Sequence, residues 1–324
     1  MNALFKACAL AVIFGTGSTG MAQPWPSRSI SIVVPFPAGG PTDTLARLLS
    51  EPMRKFLGQT VVVENVTGGG GSIGTGRVAR AAPDGYTLSI GHWGTHVTNG
   101  AYYTLNFDVF TDFDPVAMIA TNPQVVISKP AVPAQTLKEL VPWIKANHNK
   151  IQFGTGGIGG ASHIAGIYFL NRVGVKMEFV PYRGGAPAMQ ALLSGEIDLY
   201  MTQVATSVAH VRAGKLRAYL VTSKTRQAAA PEIPTVDEAG MPGLYTAVWH
   251  GIWAPKGTPR DINIKLNAAI VDALADDAVR RRFTDLGQDI PPRNEQTPQA
   301  LARHHKAEID KWWPLMKAAG IKAE

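Results

Sequence analysis

Short apolar runs alternate along the chain with stretches in which apolar residues recur every three or four positions. Residues 30–36, 60–66, 87–90, 116–120, 125–128, 152–153, 177–181, 198–201 and 216–222 read as strands. Residues 42–57, 72–81, 137–147, 162–173, 186–193 and 206–213 read as helices. Such alternation predicts an α/β protein of largely parallel sheets flanked by helices. Thr42 or Asp43 is placed to cap the first long helix and Ser162 the fourth. Gly58, Gly174, Gly195 and Gly214 fall just past helical stretches, where a left-handed C-cap is common.

Beyond Thr222 the texture changes. SKTRQAAAPEIPTVDEAGMPGLY is rich in Ala, Pro and Gly and reads as an irregular connection. A strand-like TAVWHGIWAP and two helical stretches, 261–275 and 299–319, follow. A chain that builds one α/β unit, then a second, then returns with strand and helices predicts two lobes. We place the crossings near 119–125 and 220–224, giving lobe 1 as 23–122 plus 224–324 and lobe 2 as 123–223.

Two strand–turn–helix units carry glycine-rich turns: SISIVVPFPAGGPTDTLARLLS near the start and IQFGTGGIGGASHIAGIYF in the middle. Each predicts bare backbone N–H groups beside a helix N-terminus, an arrangement that suits an anion. Two of them, one per lobe, suggest an acidic ligand gripped from both sides. Gly154, Gly156 and Gly159 also spell G-x-G-x-x-G, with Glu178 near the distance of a ribose-binding acid. Glu178 falls inside an apparent strand and not at its carboxyl end, which weakens a dinucleotide reading. A turn that needs glycine only for its backbone freedom is the plainer alternative.

The first residues, MNALFKACALAVIFGTGSTGMAQ, show Lys6, an apolar run over 7–14 and small residues ending at Ala22. This is the pattern of a secretory signal peptide cleaved after Ala22, and the run is shorter than the ~20 residues that span a bilayer. Cys8 is the single cysteine, so the mature chain is expected to hold no disulfide, thiol nucleophile or Cys-ligated metal. Such a chain suits a bacterial periplasm. The formal charge of +7 becomes +6 without Lys6. Its basic residues are interspersed with acids, as in DDAVRRRFTD, which argues against a nucleic-acid stripe.

Several stretches resemble the substrate-binding receptors of tripartite tricarboxylate transporters, the Bug-type or TctC-like family. They are IVVPFPAGGPTDTLARLL, VVVENVTGGGGSIGTGRVARAAPDGYTL, FTDFDPVAMI, GTGGIGGASHIAG, VPYRGGAPAMQALLSGEIDL, AGKLRAYLVTSKTR, IPTVDEAGMPG and WHGIWAPKGTPRDINIKLN. The resemblance implies a two-lobed periplasmic binding protein that closes on a small organic carboxylate; the paired glycine-rich turns, the missing cysteines and the weak metal spacing predict that it does so without cofactor or metal. It implies membrane transporter subunits as partners, and a monomer is expected. On one side of the implied site stand Phe36, Pro37, Ala38, Gly39, Gly40 and Asp43. Thr155, Gly156, Gly157, Ser162 and His163 approach from the other. The loop GHWGTH adds Trp93, Thr95 and His96, with Trp93 as a flat apolar wall. Thr202 and Gln203 stand where the family usually has an acidic residue, which makes that wall neutral and suits an aromatic or longer acid.

Competing motifs are present. Gly70-Gly71-Ser72-Ile73-Gly74 matches G-x-S-x-G, so a periplasmic serine hydrolase using Ser72 is an alternative. A receptor that reports its ligand to a membrane sensor is another. His92 and His96 have i, i+4 spacing, but Gly94 between them argues against a helix carrying a zinc pair. Arg183 is the most interesting single charge: it reads either as ligand recognition or support of a closed state, or equally as a surface ion pair worth little.

Overall fold

The computed structural model describes residues 24–182, 184–318 and 320. The expected signal peptide and Arg183 lie outside the described residues. The strands are β1 (Ile30–Val34), β2 (Val61–Asn65), β3 (Thr87–His92), β4 (Phe113–Ser128), β5 (Phe153–Thr155), β6 (Phe179–Pro181), β7 (Leu199–Gln203), β8 (Arg217–Val221) and β9 (Ala247–Pro255). The helices are α1 (Pro41–Leu57), α2 (Ser72–Ala79), α3 (Asn99–Tyr102), α4 (Leu137–Asn147), α5 (Ala161–Val173) and α6 (Gly185–Ser194), then α7 (Val204–Arg212), α8 (Arg260–Ala275), α9 (Asp277–Asp285) and α10 (Pro298–Ala318).

The strands run β2-β1-β3-β9-β4-β7-β5-β6, with β8 also on β4. β1 pairs in parallel with β2 and β3, and β5 in parallel with β6 and β7. These are the parallel units that the alternation predicts. The antiparallel pairs all involve the long strands β4 and β9: β3–β9, β4–β9, β4–β7 and β4–β8. Sequence reading divides β4 into 116–120 and 125–128, because Asn122 and Pro123 interrupt its apolar run. The strand passes straight through: Asn122 and Pro123 pair with Val248 and Ala247 of β9, and Gln124 pairs with Gln203 of β7. β4 therefore belongs to both lobes.

Each lobe has its own core. In the first, Leu45, Leu49 and Met53 of α1 meet Leu266 and Ile270 of α8 and Phe283 of α9 over the sheet. Each such fully buried side chain is worth about 1.5–3 kcal/mol. The other face of that sheet is covered by α10, where Trp249, Trp253 and Trp312 pack with Leu301. α9 escapes sequence reading because DAVRRRFTD offers only Val279 and Phe283 to the core, four residues apart. Asp276 caps it, accepting the N–H groups of Ala278 and Val279.

In the second lobe, Phe153, Phe169, Leu199, Met201 and Tyr219 form the centre. Val236, Met241 and Leu244 join that cluster, and Ile233 packs against Val221 and Ala188 nearby. The irregular connection after β8 thus packs on the second lobe. Thr222 joins the strands at the crossing. Its hydroxyl accepts the Gln124 N–H at 2.8 Å and donates to the Thr246 carbonyl, while its own N–H reaches the Gln124 carbonyl at 2.8 Å.

Candidate functional site

β1 delivers the chain to an exposed turn, and α1 leaves from it. Gly39 takes φ +82°, which favours glycine, and Gly40 is the N-cap in an extended conformation. Pro41 occupies N1, where its missing N–H costs nothing. Neither Thr42 nor Asp43 is the cap. Thr42 is buried and its hydroxyl shares a hydrogen bond with His250 Nε2 at 3.2 Å.

Asp43 departs from its expected role as a ligand contact. Its Oδ2 accepts from Gly39 N–H and Arg47 Nε, both at 2.9 Å, and its Oδ1 accepts from Asn65 Nδ2 at 2.9 Å. The same Asn65 amide donates to the Phe36 carbonyl. The Arg47 guanidinium holds the carboxyl down to about 2. A buried carboxylate with its oxygens already occupied stiffens the turn, and turned outward it would repel an acid. Phe36 is half-buried and stacks on His92, centroids 4.7 Å apart at 14°. Pro37, Ala38 and Gly39 are exposed.

The segment after β3 is helical, contrary to the expectation from Gly94: a π-turn over Gly94–Thr98 runs into α3. His92 precedes it as the last residue of β3, so the two histidines are no metal pair. His96 is buried, stacked on Trp253 at 3.7 Å, and its carbonyl accepts from His305. Thr95 is also buried; its hydroxyl accepts His92 N–H at 3.0 Å and lies 3.0 Å from His96 Nδ1. Trp93 packs edge-on against Trp312 at 5.4 Å and is 4% exposed. These three side chains belong to the core behind the site, because apolar and aromatic rings gain more from that packing than from an open wall. Burial pushes His92 down to about 4, and His96 and His250 well below their ordinary value.

The second-lobe turn is less bare than its glycines suggest. Gly160 is the N-cap of α5, and Ser162 stands inside the helix and not at its cap. The Ser162 hydroxyl accepts Gly156 N–H and lies 2.9 Å from the Thr155 hydroxyl, which also bonds the Gly157 carbonyl. Gly159 N–H donates to His163 Nδ1 at 3.1 Å. His163 meets Phe179 edge-on and lines a groove with Ile158, Ile167 and Phe179, away from the pocket described next. Burial lowers its pKa. Glu178 precedes β6 rather than ending it, so the ribose acid of a dinucleotide fold has no counterpart there.

Three helices of this lobe present their amino ends to one cavity of about 540 Å³. Gly160, Ala161 and Ser162 come from the start of α5, Gly185 and Ala186 from α6, Thr202 and Gln203 from the end of β7, and Thr206 from the first turn of α7. Gly156 is glycine because an added Cβ would lie 3.1 Å from Gly185 N, and this close approach joins two of the helix ends. Gln124, Met189, Gln190, Tyr200 and His210 complete the lining, which among the described residues has no Asp, Glu, Lys or Arg. First-turn N–H groups lack helical partners and sum to a positive end, so three of them give the cavity a positive lining with no cation among its described residues. Of the expected residues, the cavity gathers Gly156, Ser162, Thr202 and Gln203. Residues 37–40 stand on the other lobe outside it. Sequence reading missed Gly185, Ala186 and Gln190, although GGAPAMQ, two glycines opening a helix, was the available signal. Gln124 had none.

Ser72 opens α2 after four glycines of positive φ, and no histidine bonds its hydroxyl among the described residues. No group of three His, Cys, Asp or Glu able to hold a metal is found among them either, and no described helix is long and apolar enough to cross a membrane.

Residues 45–321 match the sequence profile described as "Tripartite tricarboxylate transporter family receptor". Among solved structures, the periplasmic binding protein BugD is 40% identical with a TM-score of 0.74, over 93% of this chain and 100% of that one. MatC of Rhodopseudomonas palustris with bound malate is 38% identical, TM-score 0.74, over 90% and 99%. An R. palustris protein solved with adipate is 34% identical, TM-score 0.76, over 92% and 99%.

Proposed function

The chain belongs to the tripartite tricarboxylate transporter receptor family, and from that premise we propose that it is a periplasmic receptor for a small organic carboxylate. The observation that carries this reading is the meeting of the α5, α6 and α7 amino ends on one cavity with no acidic side chain among its described lining residues. A carboxylate there would accept charge-assisted hydrogen bonds worth about 1.5–3 kcal/mol each. The exposed main chain of residues 37–40 would meet it from the first lobe as the lobes close. On packing, we take the return to lobe 1 at Thr246 rather than at residue 224. The bound acid is then handed to membrane transporter subunits, and residues 1–22 direct export.

A malate-bound and an adipate-bound relative support the ligand class. With Trp93 buried, an aromatic ligand loses its argument and a polar one gains. A melting-temperature screen of the mature chain against mono-, di- and tricarboxylates tests the reading. An acid at 100 times its Kd stabilises by about 2.7 kcal/mol, and this should survive EDTA. No shift with any acid, or turnover abolished by Ser72→Ala, would sink it.

A further inference from the structure

Gln124 and Gln203 are cross-strand partners on β4 and β7, and both line the 540 Å³ cavity. Among the described residues neither carboxamide has a hydrogen-bond partner. Gln203 is half-buried and Gln124 buried, and both stand in the cavity wall. Gln203 is the N-cap residue of α7 yet its side chain does not cap that helix. Gln124 is 3% exposed and its main chain is held on both sides by Thr222, at the point where β4 passes between lobes.

We infer that Gln124 and Gln203 form the specificity pair of the site, reading an oxygen-bearing group on the ligand at the end away from the helix-bound carboxylate. The inference rests on the carboxylate reading above. Two adjacent carboxamides supply both donors and acceptors without charge. A methyl or phenyl group placed against them would leave those dipoles unpaired once the lobes close, and a site built to hydrogen-bond rejects the analogue that cannot answer. Gln203 rides on the second lobe alone. Gln124 is fastened through Thr222 to the Thr246 carbonyl that leads into β9, so a ligand group bonded to it is bonded to the strand shared by both lobes. Ligand choice and lobe closure therefore meet at this residue.

Titration calorimetry on the mature chain tests the pair with two matched sets, succinate against butyrate and adipate against hexanoate, each differing in one terminal oxygen-bearing group. The dicarboxylate that binds should beat its methyl-ended partner by about ten-fold or more. Gln124→Leu should bring that ratio to within about three-fold while changing the monocarboxylate little, and Gln203→Leu should act in the same sense. If Gln124→Leu does not fold, as judged by its melting transition, Gln203→Leu decides alone. Equal weakening of both members would make the glutamines structural, and an unchanged ratio would remove them from recognition. If none of the four acids, nor any in the wider screen, binds the unsubstituted chain, the carboxylate reading itself fails and this inference with it.

Discussion

Two turns, one in each lobe, share a backbone plan. In the first, Gly40 N–H reaches the Pro37 carbonyl, Gly39 has φ +82°, and Gly40 caps α1 at φ −75°, ψ 169°. In the second, Gly160 N–H reaches the Gly157 carbonyl, Gly159 has φ +75°, and Gly160 caps α5 at φ −74°, ψ 170°. In both, the third helical residue reaches back to the left-handed glycine: Asp43 to Gly39 and His163 to Gly159. The shape is common and the chemistry is not. Asp43 brings a buried negative charge anchored by Arg47 and Asn65, whereas His163 brings a ring kept neutral by burial. The positive end of α1 is therefore partly offset from below, and that of α5 is not. The second lobe should be the stronger seat for an anion, and the first the lid that completes it.

Removing the two back-reaching side chains should separate the turns most widely. Asp43→Ala leaves Gly39 N–H and the Asn65 amide without their charged acceptor and should cost about 2–3 kcal/mol in urea unfolding. His163→Ala loses one neutral hydrogen bond and should cost about 1 kcal/mol. A larger loss from His163→Ala would overturn the ranking. Gly39→Ala and Gly159→Ala should each cost about 1–2 kcal/mol, because both force a side chain into the left-handed region. Costs that differ by more than the error of the measurement would mean that the backbones are not equivalent.

Acid should loosen the turns in order. His163 has a folded pKa below its unfolded 6.5, so its contribution is complete above that value and lost as pH falls through the lower one. Asp43 is depressed to about 2, so its contribution is complete above 3.8 and lost only between there and about 2. Amide exchange at Gly159 should rise at a higher pH than at Gly39; the reverse order would break the comparison. The smallest effect belongs to Gly40→Ala and Gly160→Ala, whose φ values any residue adopts. An added Cβ would lie 3.4 Å and 3.2 Å from the nearest carbonyl oxygen. Stability should stay within about 0.5 kcal/mol of the parent, which leaves these variants free to report ligand access by calorimetry.

The parallel units were legible because 30–36, 60–66 and 152–153 are short apolar runs followed by glycine and an amphipathic helix, all local signals. β4 was not, since Asn122 and Pro123 look like a break; only their pairing with Val248 and Ala247 of β9, far downstream, keeps the strand going. The glycine turns of the site were legible for the same local reason. Trp93, Thr95 and His96 were misplaced because a loop of aromatic and polar residues has no periodicity to tell inward from outward, and their burial depends on Trp253, Trp312 and His305, brought in from far along the chain. Gln124 was invisible for a related reason: its importance comes from β7 and Thr222, neither of them a neighbour in sequence.

The position of β4 and β9 at the middle of the strand order also sets a timetable for synthesis. As the chain grows from its amino end, β1, β2 and β3 form early, but the exposed edge of β3 waits for β9. The first half of β4, with its apolar run from Val116 to Ala120, waits for the same partner. Everything between, the whole second lobe, can complete its pairings first. The first lobe thus begins earliest and finishes last, and for more than a hundred residues of elongation it offers an open, hydrophobic strand edge of the kind that invites mispairing. A factor that shields nascent chains has its longest task on the half of this molecule that was made first.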